Sequence, residues 1–179
     1  RFHLHHYAPA LTRNRCDGFR EACIMIETIL IVDDEPSNRN ILCQELAHRG
    51  YTVETAVEGA EALRRIASAP VDLLILDFMM PKMSGLEVLM ELRARGHDIP
   101  IIIMTAYGSV DRAVEAIKAG AEDFITRPFD PDHVGLVVRK ALERQRLMRE
   151  VEVLSEELRN RYHLIAGESF KMKAAVEMA

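Results

Sequence analysis

The 179 residues are 49% hydrophobic and 28% charged, with no Trp, a globular composition that excludes disordered, collagen-like and purely coiled-coil chains. With 23 basic against 28 acidic residues the net charge is −5, which argues against a broad nucleic-acid-binding surface. No apolar run approaches the roughly 20 residues of a membrane span, so the chain reads as soluble and cytoplasmic, with no membrane partner. Its cysteines, Cys16, Cys23 and Cys43, are odd in number and form no CxxC pair, and they read as reduced thiols.

In chain order, residues 1–24 come first, carrying four Arg and three of the seven His without periodic pattern. No apolar stretch follows the charge, so this piece reads as a leader, tag or disordered extension and not as a signal peptide. His3, His5 and His6 could hold a metal but lack a scaffold around them. From Thr28 the pattern becomes strand-length apolar runs alternating with amphipathic stretches. Strands are expected at Thr28 to Val32, Tyr51 to Ala56, Val71 to Leu76, Ile99 to Met104 and Asp123 to Thr126, the second of them at an edge. Helices are expected at Pro36 to Arg49, Gly59 to Ser68, Ser84 to Arg95 and Ser109 to Ala119, with Pro36 in a first turn and Gly50, Gly96 and Gly120 just past helix ends. Five β-then-α units predict an α/β, flavodoxin-like fold: a doubly wound parallel sheet in the order 2-1-3-4-5.

After Pro131 a helical pattern runs without a breaker to about Tyr162, too long for the body of such a domain, so a linker helix projects over residues 139–162. Leu147, Val151, Leu154 and Leu158 step by four, three and four, the seam of a short coiled coil, among seven basic and five acidic residues. Arg144 and Arg161 occupy the flanking seam positions and keep the zipper short. A Gly-Glu-Ser turn is expected to separate this helix from an apolar beginning at Ile165 to Ala179.

In a doubly wound sheet, ligands bind beyond the carboxyl ends of the strands, where strand order reverses. Asp33 and Asp34 follow the first predicted strand and Asp77 follows the third, so three carboxylates converge at the switch point. Like charges held a few ångströms apart repel unless a cation joins them, and an all-oxygen site suits a partly hydrated Mg²⁺. Beside such an ion a carboxylate can attack phosphorus, and Asp77, on the central strand ahead of Met79, Met80 and Pro81, is the candidate nucleophile. Thr105 ends the fourth strand and can hydrogen-bond a phosphoryl oxygen, with the small Ala106 leaving room beside it. Arg127, before Pro128, ends the fifth strand and offers a fixed positive charge. Singly, Asp33, Asp34 or Thr105 could be helix caps and Arg127 a surface ion-pair partner; jointly they define a phosphoryl site.

Ile-Leu-Ile-Val-Asp-Asp-Glu (29–35), Leu-Leu-Ile-Leu-Asp-Phe-Met-Met-Pro (73–81) with Gly85, Met-Thr-Ala-Tyr-Gly (104–108) and Lys-Ala-Gly-Ala-Glu-Asp-Phe-Ile-Thr-Arg-Pro-Phe (118–129) resemble the receiver domain of bacterial two-component response regulators. The receiver would span residues 25–145. The resemblance implies that Asp77 accepts a phosphoryl group from a sensor histidine kinase. It also implies that Asp34, Asp77 and the Met79 carbonyl ligate Mg²⁺, with Asp33 acting through water, and that Thr105 and Phe124 form a switch pair. Receivers usually carry Lys where this chain has Arg127. Residues 161–172 resemble the start of the AAA+ domain of NtrC-type activators of sigma-54 RNA polymerase, so 163–179 would be a truncated start of that domain. No GxxxxGK[ST] occurs, so no ATP hydrolysis is expected of this chain, and polymerase and DNA would be reached only through domains it lacks.

Three functions are open to these residues. The first is a phospho-accepting regulator that dimerises through its linker helix. The second is an enzyme, a phosphatase or phosphotransferase of the haloacid dehalogenase type, disfavoured because Met79 stands where that class has a second Asp. The third is a receiver-like dimerisation module independent of phosphorylation, motivated by Arg127.

Overall fold

The computed structural model describes the backbone of residues 26–105 and 110–176, and the side chains there except at 110, 160 and 162–176. Its elements are β1 (Thr28–Val32), α1 (Pro36–His48), β2 (Thr52–Ala56), α2 (Gly59–Ser68), β3 (Leu73–Asp77), α3 (Gly85–Ala94), β4 (Ile101–Thr105), α4 (Val110–Lys118), β5 (Asp123–Thr126) and α5 (Pro131–Val176). The all-parallel sheet runs β2-β1-β3-β4-β5, the expected order.

Side-chain alternation sorts the central strands into two cores. Leu30, Val32, Leu74, Leu76, Ile101 and Ile103 face α2 and α3, packing on Ala62, Val88, Leu89 and Leu92. Ile29, Ile31, Leu73, Ile75, Ile102 and Met104 face the other way, onto Leu42 and Leu46 of α1 and Val134, Val138 and Leu142 of α5. Burial on both faces is why these strands read as continuous runs of Ile, Leu and Val and not as alternating patterns. Each such aliphatic side chain contributes about 1.5–3 kcal/mol relative to its exposed state. The edge strands β2 and β5 are only partly covered.

Several boundaries shift by one or two residues from expectation, and three of the differences have a physical reason in the structure. β3 starts at Leu73 because Asp72 is used as a brace: its Oδ2 accepts the Thr28 N–H at 2.9 Å while its own N–H donates to the Thr28 carbonyl at 2.8 Å. β4 starts at Ile101 because Pro100 has no N–H for the ladder, and its carbonyl instead accepts from Leu74. α5 continues through Gly167 to Ser169, where a turn was expected, and reaches Val176. One interior Gly costs only about 1 kcal/mol relative to Ala, too little to end a helix. Gly50, expected to close the first helix, does so in the left-handed region at φ 93°.

The expectations for residues 1–24, including His3, His5, His6, Cys16 and Cys23, fall outside the described residues, as does Ala106. Cys43 is a free, half-buried thiol whose pKa burial raises. No described helix is long and apolar enough to cross a membrane.

Candidate functional site

Register places the site. Val32 pairs with Leu76, Asp77 with Met104 and Thr105 with Thr126, so the next residue of each strand emerges at one edge of the sheet. There Asp33, Asp34 and Asp77 each bring a carboxylate oxygen within 4.8 Å of the others. Asp33 and Asp77 are buried and Asp34 is exposed.

Asp33 is held by the start of α1. Its Oδ1 accepts the Glu35 N–H at 2.7 Å, its Oδ2 accepts from Asn38 Nδ2 at 3.1 Å, and its carbonyl accepts from Arg39 Nη1 at 2.5 Å. Burial raises the Asp33 pKa; the Glu35 N–H works against this and the Asp77 charge adds to it. Asn38 and Arg39 were absent from the sequence reading. Their signal was spacing alone, one turn into the helix that follows Asp33.

Asp77 ends β3 with a close approach behind it. The Phe78 N–H donates to the Met104 carbonyl at 2.9 Å and the Gly85 N–H to the Phe78 carbonyl at 3.1 Å, folding the 79–84 loop back on the strand. A Cβ on Gly85 would collide with the Asp77 carbonyl oxygen and come within 3.3 Å of Phe78 Cα. In this loop Met79 is exposed, Met80 is buried, and Lys82 adopts φ 67° while its Nζ reaches Glu58 at 2.6 Å. Arg112 of α4 lies 5.4 Å above the Phe78 ring.

Thr105 is buried at the end of β4, and its carbonyl accepts the Arg127 N–H at 2.8 Å. Arg127 Nη2 donates to Asp77 Oδ1, and Nη1 lies 3.9 Å from Asp33 Oδ2. Burial opposes the guanidinium charge, but the Asp77 hydrogen bond and the two carboxylates outweigh it and raise its pKa. Phe124 points outward on β5, 36% exposed. Leu147, Val151, Leu154 and Leu158 lie far from this edge on α5, each more than half exposed.

An all-oxygen donor set with one solvent-facing carboxylate and two buried ones fits a hard, partly hydrated divalent cation. A buried nucleophile-type carboxylate, a hydroxyl and a guanidinium around it can accept and stabilise a phosphoryl group.

An acidic triad at the carboxyl edge of a 2-1-3-4-5 sheet, flanked by Thr and a basic residue, defines a phospho-acceptor module. The model of the response regulator receiver domain family matches residues 29–149, and the chain belongs to that family. It is 39% identical to the regulatory protein AtoC of Escherichia coli K12 over 133 residues, 74% of this chain and 29% of that protein. It is 44% identical to the response regulator MprA of Mycobacterium ulcerans over 119 residues, 66% of this chain and 51% of that one. The chain thus spans about half or less of the length of these relatives. Among solved structures it resembles NtrX from Brucella abortus (TM-score 0.70, 35% identity, 73% of this chain and 30% of that one). The Francisella response regulator 1452 receiver domain is also similar (TM-score 0.64, 28% identity, 66% and 98%).

Proposed function

We propose that the chain is the phospho-accepting part of a response regulator, with Asp77 as acceptor, a sensor histidine kinase as donor, and a linker helix that passes the phosphorylation state to an output domain. The observation that carries this reading is the placement of Asp77: buried at the end of the central strand, clustered with Asp33 and Asp34 and flanked by Thr105 and Arg127.

In the transfer, an Asp77 carboxylate oxygen attacks the phosphorus of the kinase phosphohistidine. The P–N bond breaks, its electron pair stays on the imidazole nitrogen, and Asp77 carries an acyl phosphate. Asp34, Asp77 and the Met79 carbonyl would hold Mg²⁺, with Asp33 acting through water; when bound, the ion neutralises charge on the phosphoryl oxygens. Thr105 donates its hydroxyl to a phosphoryl oxygen, Arg127 offers its fixed charge, and Phe124 turns from its exposed position toward the space Thr105 leaves. The exposed stripe Leu147, Val151, Leu154 and Leu158 pairs two copies, and phosphorylation alters that pairing. The resemblance of 161–172 to the start of an AAA+ domain supports a sigma-54 activator as the whole protein, with polymerase and DNA contacted by its other domains.

Incubated with Mg²⁺ and acetyl phosphate, the wild-type chain should gain one phosphoryl group by intact mass and Asp77→Asn should gain none. An unlabelled wild type, under conditions that label an ordinary receiver, overturns the reading. The grip of Arg127 on Asp77 favours one alternative, a phosphorylation-independent dimerisation module. It predicts that neither Asp77→Asn nor beryllofluoride changes the oligomeric state.

A further inference from the structure

Asp72 makes more contacts than the start of a strand requires. Its N–H donates to the Thr28 carbonyl at 2.8 Å and its Oδ2 accepts the Thr28 N–H at 2.9 Å, which ties it to the first residue of β1. Its other two polar atoms turn to α5. Oδ1 lies 3.7 Å from Arg149 Nη1. With the Gln145 amide turned as its neighbours demand, Gln145 donates to the Asp72 carbonyl at 3.0 Å and its side-chain oxygen accepts from Arg149 Nη2 at 2.9 Å. One residue thus joins β1 and β3 to the helix that leaves the domain. Because β3 ends in Asp77, this joint lies at the amino edge of the sheet, at the far end of the strand from the acidic triad.

Apolar packing does not hold this stretch of helix. The buried face of α5 ends at Leu142, and beyond it a cleft of about 470 Å³ opens between helix and body, with Arg93 and Ile99 on one side and Met148 and Glu152 on the other. Contacts between long, partly exposed polar side chains are directional but individually weak, so the contact orients the helix and is easily opened. The face that makes it is also not the face left bare. Gln145, Arg149 and Glu152 continue the buried line of Val138 and Leu142, whereas Leu147, Val151, Leu154 and Leu158 are each more than half exposed. At about 100° per residue the two stripes are centred roughly 160° apart, on nearly opposite sides of the helix.

We infer that Asp72, Gln145 and Arg149 form a clasp that sets the direction in which the linker helix leaves the receiver and keeps its apolar stripe turned away from the body. Pairing through the stripe then requires no release from the body. Two copies hold their receivers on the outer flanks of the paired helices, each fixed by its own clasp. The three are positioning residues for the linker, and the inference goes beyond the phospho-acceptor reading because it uses none of the chemistry at Asp77.

The test is hydrogen exchange of the full chain, read by mass spectrometry, together with light scattering, on wild type, Asp72→Asn, Arg149→Gln and Arg149→Lys. Asn at 72 keeps an oxygen for the Thr28 N–H and loses only the charge that faces Arg149. Asp72→Asn and Arg149→Gln should each exchange about threefold faster than wild type over residues 145–152, with residues 131–142 unchanged, and Arg149→Lys should restore part of the protection. All four should scatter as dimers. Unchanged exchange over 145–152 in both Asp72→Asn and Arg149→Gln overturns the clasp. Faster exchange accompanied by loss of the dimer in Arg149→Gln overturns the separation of the two faces, and a monomeric wild type overturns the flanking arrangement. Acetyl-phosphate labelling of Asp77 on the same samples decides the acceptor reading by itself, since neither Asp72 nor Arg149 touches that site.

Discussion

Asp33 and Asp34 are chemically identical neighbours with opposite fates. Asp33 is fully buried and bonded to the Glu35 N–H and Asn38, whereas Asp34 faces solvent. The sequence named both and left open whether either caps α1. The N-cap is Glu35, which makes no side-chain capping bond, and Asp33 instead turns inward toward Asp77. Gly85 shows the same limit. It was quoted as part of a motif, but its reason is steric: any Cβ there meets the Asp77 carbonyl and Phe78. Gly85→Ala should destabilise the fold by about 1–3 kcal/mol in urea denaturation, because backbone on both sides must shift. It should also slow acetyl-phosphate labelling more than a core substitution of equal stability cost, because the displaced backbone carries Asp77, the proposed acceptor.

Among the elements, α3 shows how local chemistry starts a helix beside the site. Ser84 Oγ accepts the Glu87 N–H at 3.3 Å, and Glu87 Oε2 accepts the Ser84 N–H at 2.7 Å, a complete capping box. Ser84→Ala should cost about 1 kcal/mol, measurable by thermal or urea unfolding. The Ser84 N–H and hydroxyl lower the Glu87 pKa, so its folded value lies below its unfolded one. Its contribution is therefore present above the unfolded pKa and lost as pH falls through the folded one. Glu87→Gln should abolish that part of the acid-side slope, checked by comparing the pH dependence of the two melting curves. Strand cores were legible as runs of Ile, Leu and Val, and so were the starts of β1 and β5, but the first residues of β3 and β4 were not, because an Asp bracing Thr28 and a Pro without an N–H decide where pairing begins there.

Across the whole molecule, α5 has two lives. Val134, Val137, Val138, Ala141 and Leu142 are buried on the sheet, while from Leu147 onward the apolar stripe is open to solvent. Around this change the helix is tied to the body by Arg144 to Glu122 at 2.7 Å and, within the start of the stripe, by Arg149 to Asp72 at 3.7 Å, exposed pairs each worth little alone. The stripe thus leaves the domain on a helix still anchored to it, which suits transmission to a second copy. Leu154→Lys should convert a dimer to a monomer by light scattering without lowering the melting temperature of the receiver body, since Leu154 is 57% exposed. An unchanged mass would remove the linker from the dimer interface.

The amino-acid sequence by itself determined the class of this protein: hydrophobic runs of strand length, glycines after helices and carboxylates at strand ends are local patterns, and they predict the sheet order, the acidic edge and Asp77 at its centre. Only the tertiary structure decided how those residues engage one another. That Arg127 reaches Asp33 as well as Asp77 depends on distances between separate strands, which parallel register sets; that Asn38 orients Asp33 and that Gly85 lies against the Asp77 carbonyl depend on how α1 and α3 fold back on the strands before them, and residue types in one dimension do not encode that geometry.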